Sequence, residues 1–295
     1  MAEQRIETKS SQTADYTCFS RGCATREKDP RFRGSDTMAE LLFPTKARLM
    51  LDIAPVRKFI MRRMFPPGLH EYVFVRTKVM DSAFMEALDA HFSQIILLGA
   101  GFDTRAMRFT DRNRGTKIFE LDAPTTQQAK VGVLYQKKIP LPEDLIFAPI
   151  NFDREEIADA LEHAGYQTGQ RCLFLWEGVT MYLSAQAVDK TLEFIRQSSA
   201  PGSRVVFDYL RASVLRKENR YYGEQKAYDM VAKAGEGWTF GLEDGEIDPF
   251  LAKRGFKLTN HYTSVDLENL YLTESDGSLH ARVNGTHCIA IASVK

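Results

Sequence analysis

The sequence lacks the patterns that mark metalloproteins and disulfide-bonded secreted proteins. Its 295 residues include four cysteines, at positions 18, 23, 172 and 288, and no two of them have CxxC spacing. The six histidines are scattered, and none forms an HExxH pair. These absences argue against a zinc site and against a disulfide framework. We therefore expect free, partly buried thiols and no metal site.

Net charge and long apolar runs are lacking as well. Lys+Arg and Asp+Glu each number 39, so the formal net charge is zero. A neutral chain has no overall attraction to nucleic acid or to an anionic membrane. No apolar run reaches 18 residues, and the first residues, MAEQRIETKSSQTADYT, are polar, so neither a transmembrane helix nor a signal peptide is predicted. We expect a cytoplasmic protein without nucleic-acid or membrane partners.

Apolar strand patterns alternate with helix patterns along most of the chain. Five segments have the composition of buried strands: IILLGAG, KIFELD, LIFAPINF, RCLFLWEG and SRVVFDYL. Helical segments lie between strands, such as DREEIADALEHAG with Asp153 as its predicted N-cap, and NGTHCIAIASVK is a last strand. This alternation predicts crossover units, and hence an α/β protein whose parallel sheet is covered by helices on both faces.

The first part of the chain has helical periodicity. One of its segments, APVRKFIMRRMFPPG, is a short basic amphipathic helix whose basic face carries Arg57, Lys58, Arg62 and Arg63. We interpret this face as solvated, because the segment is short and the whole chain is neutral. A role at a membrane surface is the alternative.

The first predicted strand ends on Gly99-Ala100-Gly101, where glycines allow a ligand to approach the backbone. Ligands of such sheets bind beyond the carboxyl ends of the strands. Glu120 and Asp122 close the second strand about 20 residues later, where nucleoside binders carry a ribose-binding acid. The two features together predict a cofactor that contains a nucleoside.

The residues after the glycines decide which nucleoside cofactor is expected. The dinucleotide fingerprint G-x-G-x-x-G/A has glycine or alanine at its sixth position, where this chain has Thr104. Asp103 would also repel a pyrophosphate. Both residues disfavour NAD, although an NAD-dependent oxidoreductase stays a distant alternative. S-adenosyl-L-methionine has a sulfonium cation and no phosphate, and it suits an acid-bearing loop better.

The segment LLGAGFDTRAMRF resembles the glycine motif of the leucine carboxyl methyltransferase family. Further resemblances extend from about Ala14 to Val294, and they lie in EYVFVRTKVMD, FELDAPTTQQAK, PINFDREEI, LFLWEGVTMYLS and NGTHCIAIA. The family includes phosphatase methyltransferases and bacterial polyketide O-methyltransferases of the tetracenomycin type. The resemblance implies the class I methyltransferase fold, which is Rossmann-like, with a mostly parallel seven-stranded sheet, an antiparallel last strand and an N-terminal helical cap.

This fold gives the expected organisation of the chain. Residues 1–16 are predicted to be a disordered tail, and residues 17–295 a single methyltransferase domain. Within it we expect a helical cap at 17–93, a cofactor-binding core at 94–210, a helical lid insertion at 211–241 and C-terminal strands at 242–295.

The resemblance also implies roles for individual residues. Arg76 would pair with the cofactor's carboxylate, and Gly99, Ala100 and Gly101 would lie against its methionine part. Asp122, or Glu120, would bind the ribose, and Asn151 and Phe152 would meet the adenine. Glu177 would lie near the methionine amino group or the acceptor, and Tyr182 would line the acceptor side. These last two are the predicted catalytic residues. Many relatives have Asp where this chain has Asn151, whose amide oxygen can still accept a hydrogen bond from adenine.

Structural roles stay open for several of these residues. Arg76 could instead form an ion pair with Asp81, Asp103 or Glu177. Ligand contact is one role for the loop residues Asp103, Thr104 and Arg105, and capping or bracing of the loop is the other. Tyr182 could be a core tyrosine.

The predicted reaction is methyl transfer from S-adenosyl-L-methionine to an oxygen of a small molecule. A carboxylate is ionised at neutral pH and needs no base, whereas a phenol needs one. We find no obvious histidine on the motif-bearing edge, although His261 could reach it, and this favours a carboxylate. The insertion carries arginines and aromatics that suit a flat aromatic or polyketide-type acid: Arg211, Arg216, Arg220, Tyr221, Tyr222, Tyr228 and Trp238.

Other functions remain open at this point. A protein C-terminal carboxyl methyltransferase is the nearest alternative, and a catalytically silent nucleoside-binding protein is another. The insertion could equally be an ordinary packing helix. The sequence does not determine the oligomeric state.

Overall fold

A computed structural model describes residues 12–43, 45–152, 154–234 and 237–295. It is an α/β structure built on one mixed sheet. The strands are β1 Gln94–Leu98, β2 Lys117–Asp122, β3 Leu145–Pro149, β4 Cys172–Trp176, β5 Arg204–Arg211, β6 Gly241–Leu242, β7 Phe256–Tyr262 and β8 His287–Val294. Their order is β3-β2-β1-β4-β5-β8-β7, with the two-residue β6 paired to the end of β5.

The directions of the strands confirm the expected fold class. Strands β1 to β5 are parallel, whereas β8 runs antiparallel to both β5 and β7. The chain order reverses at β1, which lies between β2 and β4. Ligands of doubly wound sheets bind at such a reversal, outside the carboxyl ends of the strands. The glycines that follow β1 are therefore at the position where a cofactor is expected.

Helices cover both faces of the sheet and form the N-terminal cap. They are α1 Gln12–Ala24, α2 Thr45–Asp52, α3 Ala54–Met64, α4 Leu69–Asp89, α5 Arg105–Arg108, α6 Pro124–Gln136, α7 Ile157–His163, α8 Ala185–Ser198, α9 Ala212–Leu215, α10 Glu224–Ala234, α11 Ile247–Ala252 and α12 Ser264–Tyr271. Short 3-10 turns occur at Pro30–Phe32, Ala39–Leu42, Thr110–Arg112 and Thr180–Tyr182.

The N-terminal helix corrects one boundary drawn from the sequence. Helix α1 begins at Gln12, so residues 12–16 are helical and do not belong to a disordered tail. Their polar composition is overridden by packing, since the Tyr16 ring lies edge-on to Phe65 and Cys18 is buried. Residues 1–11 lie outside the described part of the chain.

Three further details differ from the sequence analysis. Helix α7 begins at Ile157, later than predicted, and its proposed N-cap Asp153 lies outside the described residues. Helix α12 was not predicted; a capping box between Thr263 and Asp266 starts it. Strand β3 ends at Pro149, so Asn151 and Phe152 lie in the loop beyond it.

The two faces of β1 explain why its sequence is apolar throughout. Ile96 and Leu98 belong to the core on one face, together with Leu192 of α8. Ile95 and Leu97 belong to the core on the other face, with α4. Alternate side chains of a strand point to opposite faces, so a strand covered on both sides needs apolar residues at every position.

Replacing Leu192 with Ala should lower the free energy of unfolding by about 2–5 kcal/mol, because it leaves a cavity in a fully buried part of the core. Gln186→Ala on the exposed side of the same helix is the control, with an expected change within about 0.5 kcal/mol. Urea denaturation followed by circular dichroism measures both variants. Equal stabilities for the two variants would contradict the assigned face of α8.

Candidate active site at the carboxyl edge of the sheet

The loop after β1 has a backbone shape that requires glycine. Gly99 and Gly101 have φ angles of 71° and 51°, in the left-handed region that other residues rarely adopt. A Cβ atom at Gly99 would lie 2.4 Å from Cγ2 of Val179, in the loop after β4. A Cβ at Gly101 would lie 3.1 Å from Cβ of Ala14 in α1. The glycine loop is thus enclosed between the β4 loop and the N-terminal helix.

Asp122 at the end of β2 is bound to this loop. Its carboxylate accepts hydrogen bonds from the backbone N–H of Gly101, at 2.5 Å, and from that of Ala123, at 2.7 Å. Burial raises the pKa of Asp122, while these two donors act in the opposite direction. The contact fixes the acid beside the glycines, as a ribose-binding residue requires.

Glu120, the other predicted ribose acid, has a different environment. It is 1% exposed, and its Oε2 lies 2.5 Å from the Nζ of the fully buried Lys130 in α6. Burial raises the pKa of Glu120 to about 7, against the effect of Lys130. The other carboxylate oxygen, Oε1, has no hydrogen-bond partner among the described residues. Of the two acids, Asp122 is the one in contact with the glycine loop.

Arg76 and Glu177 meet in a buried ion cluster. The Nη1 of Arg76 donates to Oδ2 of Asp208 at 2.7 Å, and its Nε lies 3.0 Å from Oε1 of Glu177 without hydrogen-bond alignment. Arg105 approaches the other oxygen of Glu177 at 2.9 Å. Burial alone would raise the pKa of Glu177, but the arginines lower it to about 2. Glu177 is therefore a carboxylate clamped between two cations.

The ion pair between Arg76 and Glu177 is one that the sequence left open, whereas Asp208 was missed. Asp208 lies near the end of β5, fully buried, and its Oδ1 accepts the N–H of Gly178 at 2.6 Å. A signal was present in the sequence, because an acid interrupts the apolar run of SRVVFDYL close to the carboxyl edge.

Asp103, Thr104 and Arg105 are buried and brace the loop. Asp103 accepts the backbone N–H of Arg105 at 2.7 Å and forms an ion pair with its guanidinium. Arg105 also reaches Asp81 of α4, at 2.8 Å. The hydroxyl of Thr104 donates to Asp36 at 2.7 Å. The bracing role is visible in these contacts, and direct ligand contact by the three residues stays a prediction.

Helix α1 is fixed over the glycine loop by Arg21. Its Nη2 donates to the carbonyl of Phe102 at 2.7 Å, and its Nε donates to Asp36 at 2.8 Å. Asp36 in turn accepts from Thr104. The N-terminal cap is therefore joined to the loop by hydrogen bonds as well as by the contact of Ala14 with Gly101.

The predicted adenine and acceptor residues lie further along the same edge. Asn151 and Phe152 follow β3 and are half-buried, next to Ile150, whose N–H donates to the carbonyl of Asp122. Tyr182 ends the turn after β4 and packs against a small apolar cluster with Tyr221 and Trp238. The site residues named from the sequence are thus brought to one edge, with Tyr182 on the side of the 211–241 insertion.

The expectation that this edge has no histidine is wrong. His287 begins β8, which is antiparallel, so its first residue lies opposite Leu210 at the carboxyl end of β5. Its ring stacks on Tyr72 with centroids 4.7 Å apart, and the edge of Trp238 meets it at 5.6 Å. Burial lowers the pKa of His287 to about 4, so the ring is neutral near pH 7.

The surroundings of His287 are aromatic and polar. The hydroxyl of Tyr72 donates to Oδ2 of Asp208 at 2.9 Å, which joins this cluster to Arg76. The indole N–H of Trp238 is buried and has no hydrogen-bond partner among the described residues. By contrast, Nε2 of His261 is hydrogen-bonded to the hydroxyl of Tyr209 at 3.0 Å.

The described ranges contain neither a candidate metal cluster nor a candidate membrane span. No group of three or more His, Cys, Asp or Glu side chains there is arranged to hold a metal ion. The four cysteines are buried free thiols. None of the helices in that part of the chain is long and apolar enough to cross a bilayer.

Comparison with curated sequences finds relatives that are named, provisionally, as S-adenosyl-L-methionine-dependent methyltransferases. One from Mycolicibacterium smegmatis is 33% identical over 163 residues, which cover 53% of this chain and 47% of that protein. Another, YktD of Bacillus subtilis, is 26% identical over 188 residues, which cover 64% of this chain and 62% of that protein. The chain thus spans about half to three fifths of the length of these relatives.

Solved structures share the fold over almost the whole chain. A provisionally named methyltransferase from Thermobifida fusca superposes with a TM-score of 0.59 at 16% identity, covering 96% of this chain and 98% of that one. A DUF574 family protein from Streptomyces avermitilis superposes with a TM-score of 0.61 at 13% identity, covering 99% of this chain and 100% of that one. At these identities the likeness shows the fold alone.

A family model gives the assignment directly. The model described as leucine carboxyl methyltransferase matches residues 16–196, from the N-terminal cap through α8. The matched range contains the glycine loop, Asp122, Arg76 and Glu177, which are the residues on which the sequence resemblance rested. The chain belongs to the leucine carboxyl methyltransferase family.

Proposed function

We propose that the protein is an S-adenosyl-L-methionine-dependent methyltransferase that transfers a methyl group to an oxygen of a small molecule. The observation that carries the proposal is the hydrogen bond between Gly101 N–H and Asp122, because it joins a glycine loop to a ribose-binding acid at the reversal point of the sheet. Membership of the family and the names of the relatives support it.

The residues at this edge fit the cofactor. Gly99, Ala100 and Gly101 would lie against the methionine part, and Asp122 would bind the ribose hydroxyls. Asn151 and Phe152 would contact the adenine. Gly99, Ala100, Asp122, Asn151, Phe152 and Glu177 are all half-buried, so each keeps part of its surface exposed.

The charge of the buried cluster also suits this cofactor. Its ion pairs join four arginines, at positions 21, 76, 105 and 108, with five carboxylates, at positions 36, 81, 103, 177 and 208, and Asp122 adds a sixth carboxylate beside the adjoining glycine loop. The formal sum is therefore minus two. S-adenosyl-L-methionine has a sulfonium, an ammonium and a carboxylate, so its net charge of plus one is attracted to such a cluster. Arg76 and Glu177 would receive its carboxylate and its ammonium.

When bound, the cofactor supplies an electrophilic methyl group with a good leaving group. The protein then has to align the acceptor oxygen and exclude water, and alignment of this kind lowers the barrier by several kcal/mol. Helix α1 covers the glycine loop through Ala14 and Arg21. Glu177, held by Arg76 and Arg105, fixes the direction from which the methyl group is presented.

The acceptor that we propose first is a carboxylate, which needs no base. The aromatic residues Tyr182, Tyr221 and Trp238 pack against one small apolar cluster beside the insertion, and we propose that they contact a flat acid. The arginines of the insertion are already paired: Arg211 with Asp244, Arg216 with Glu218 and Glu243, and Arg220 with Glu218. An anionic acceptor would have to share these cations. A protein C-terminal carboxylate remains the alternative acceptor.

A hydroxyl group is the second candidate acceptor, and His287 favours it. Burial keeps the imidazole neutral near pH 7, so that it can accept the proton of a phenol as the oxygen attacks the methyl group, although the same burial makes it a weaker base than an exposed histidine. Trp238 offers an unpaired N–H beside it, which could donate to the same oxygen.

Replacing Asp122 with Ala should weaken the binding of S-adenosylhomocysteine by about tenfold or more, because a charged acceptor for the ribose hydroxyls is lost. Isothermal titration calorimetry measures this, with Asp111→Ala, an exposed acid outside the site, as the control. Binding of NAD by the unmodified protein, without binding of S-adenosylhomocysteine, would contradict the proposed function.

Radiolabelled methyl transfer to a panel of aromatic acids, phenols and C-terminal peptides should identify the acceptor class. Esters are hydrolysed by alkali, whereas methyl ethers are stable. If a hydroxyl is the acceptor, His287→Gln should lower kcat by about 100-fold or more. If a carboxylate is the acceptor, the product is labile to alkali and His287→Gln keeps most of its kcat.

The control for this experiment is His261→Gln, which changes the other histidine near the edge, the one paired with Tyr209. We expect it to keep its activity with either acceptor. Failure of the unmodified protein to methylate any oxygen acceptor while labelling a thiol or an amine would contradict O-methylation.

A further inference from the structure

The outer face of α3 has an unusual composition for a solvated helix. Helix α3 contains no acidic residue, and none of its residues is buried. Its exposed positions are Pro55, Lys58, Phe59, Arg62 and Arg63. Their spacing of i, i+3, i+4, i+7 and i+8 places them on one stripe of the helix. The exposed side of the helix therefore carries three cations around an aromatic ring.

Apolar exposure is concentrated at the same place. Phe59 is 71% exposed, Ile53 is 55% exposed, and Leu49 in the preceding helix is 63% exposed. These are three of the ten large hydrophobic residues exposed in the described chain, within positions 49–59. Single exposed apolar side chains are ordinary, but clusters of them mark interaction surfaces.

The cations of this stripe are not neutralised by the protein. Lys58, Arg62 and Arg63 form no ion pair with any residue that the structure describes. Their neighbours differ, since Arg48 pairs with Glu40 at 3.0 Å and Arg57 donates to the carbonyl of Leu51 at 2.6 Å. Arg62 and Arg63 also suit the helix C-terminus electrostatically, but Lys58 and Phe59 lie too far along the helix for that explanation.

The inner face of α3 packs loosely. It borders a cavity of about 490 Å³, whose lining from α3 comprises Arg57, Lys58, Met61 and Arg62, so two cations of the stripe also reach the rim of this cavity, which Glu27, Glu71 and Phe74 line as well. The cavity lies on the side of α4 away from Tyr72 and Arg76, and so it is separate from the candidate active site. The helix therefore buries little of itself against its own protein.

We propose that α3 docks this protein onto an anionic lipid bilayer. Lys58, Arg62 and Arg63 would contact the phosphate headgroups, while Phe59 and Ile53 would enter the boundary between headgroups and acyl chains. The docking is peripheral and does not depend on the proposed methyl transfer. It replaces the expectation that this face is merely solvated and that no membrane is a partner.

The charges favour a lipid surface over other occupants. A second copy of the same stripe would be repelled by its like charges. Residues 1–11 contain two acids, Glu3 and Glu7, and two bases, Arg5 and Lys9, so they provide no net complement. A single straight stripe on one helix can lie flat against a planar surface. An anionic bilayer is such a surface, and its headgroups supply the negative charge that pairs with the cations of the stripe.

The test is co-sedimentation of the full chain with phosphatidylcholine vesicles, with or without about a third phosphatidylglycerol. We expect binding only to the anionic vesicles, and weaker binding in 0.5 M salt. The combined variant Lys58→Glu, Arg62→Glu and Arg63→Glu should lower the partition coefficient by more than about tenfold. Phe59→Ser should lower it by several-fold, because the apolar anchor is lost.

A matched control reverses three exposed lysines elsewhere, by Lys226→Glu, Lys233→Glu and Lys253→Glu, and should keep most of the binding. A tryptophan placed by Phe59→Trp should show blue-shifted fluorescence on anionic vesicles, which reports insertion directly. The proposal is overturned if the unmodified chain does not bind anionic vesicles, or if the control variant loses as much binding as the α3 variant. Thermal unfolding of every variant confirms that the comparison is between folded proteins.

Discussion

The clamp on Glu177 by Arg76 and Arg105 is the interaction on which the rest of the site depends. Burying charges is costly, and a buried ion pair is stable only when each member keeps its partners. Here the partners come from α4, the loop after β1, the end of β4 and the end of β5. Removal of one partner from such a pair typically costs about 3–5 kcal/mol, because it leaves a buried charge uncompensated. The same contacts therefore hold the core together and set the shape of the site.

The clamp connects the glycine loop to the proposed acceptor side. Arg105 holds Asp103 in the loop, and Arg76 reaches Asp208, which also binds Tyr72 and the N–H of Gly178. A change in the position of Glu177 would therefore affect both the glycine loop and the residues around Asp208. We interpret this as the means by which the donor and acceptor halves of the site keep a fixed distance, which methyl transfer requires.

The sequence predicted the sheet well because burial on both faces leaves a clear signature. Runs such as IILLGAG and RCLFLWEG do not alternate between apolar and polar residues, as is typical of strands buried on both faces. The residues that follow such strands lie at the carboxyl edge of a parallel sheet, where ligands bind. Gly99, Gly101 and Asp122 could therefore be placed before any contact was known. The partners of Glu177 in the clamp were harder to predict, because the sequence contains several acids that could pair with a buried arginine.

His287 and the beginning of α1, residues 12–16, were missed for different physical reasons. The position of His287 depends on the antiparallel pairing of β8 with β5, and the local sequence of β8 carries no information about the edge at which it starts. Helix α1 has a polar composition, and its order comes from tertiary contacts of Tyr16, Cys18 and Arg21 with distant segments. Local patterns cannot reveal contacts of this kind.

The most direct measurement of the central claim is a crystal structure of the protein with S-adenosylhomocysteine. The account predicts that the methionine part lies along Gly99, Ala100 and Gly101, that its amino acid end meets Arg76 and Glu177, and that Asp122 accepts the ribose hydroxyls. Binding of the ligand at another surface, with no contact between Asp122 and the ribose, would contradict it.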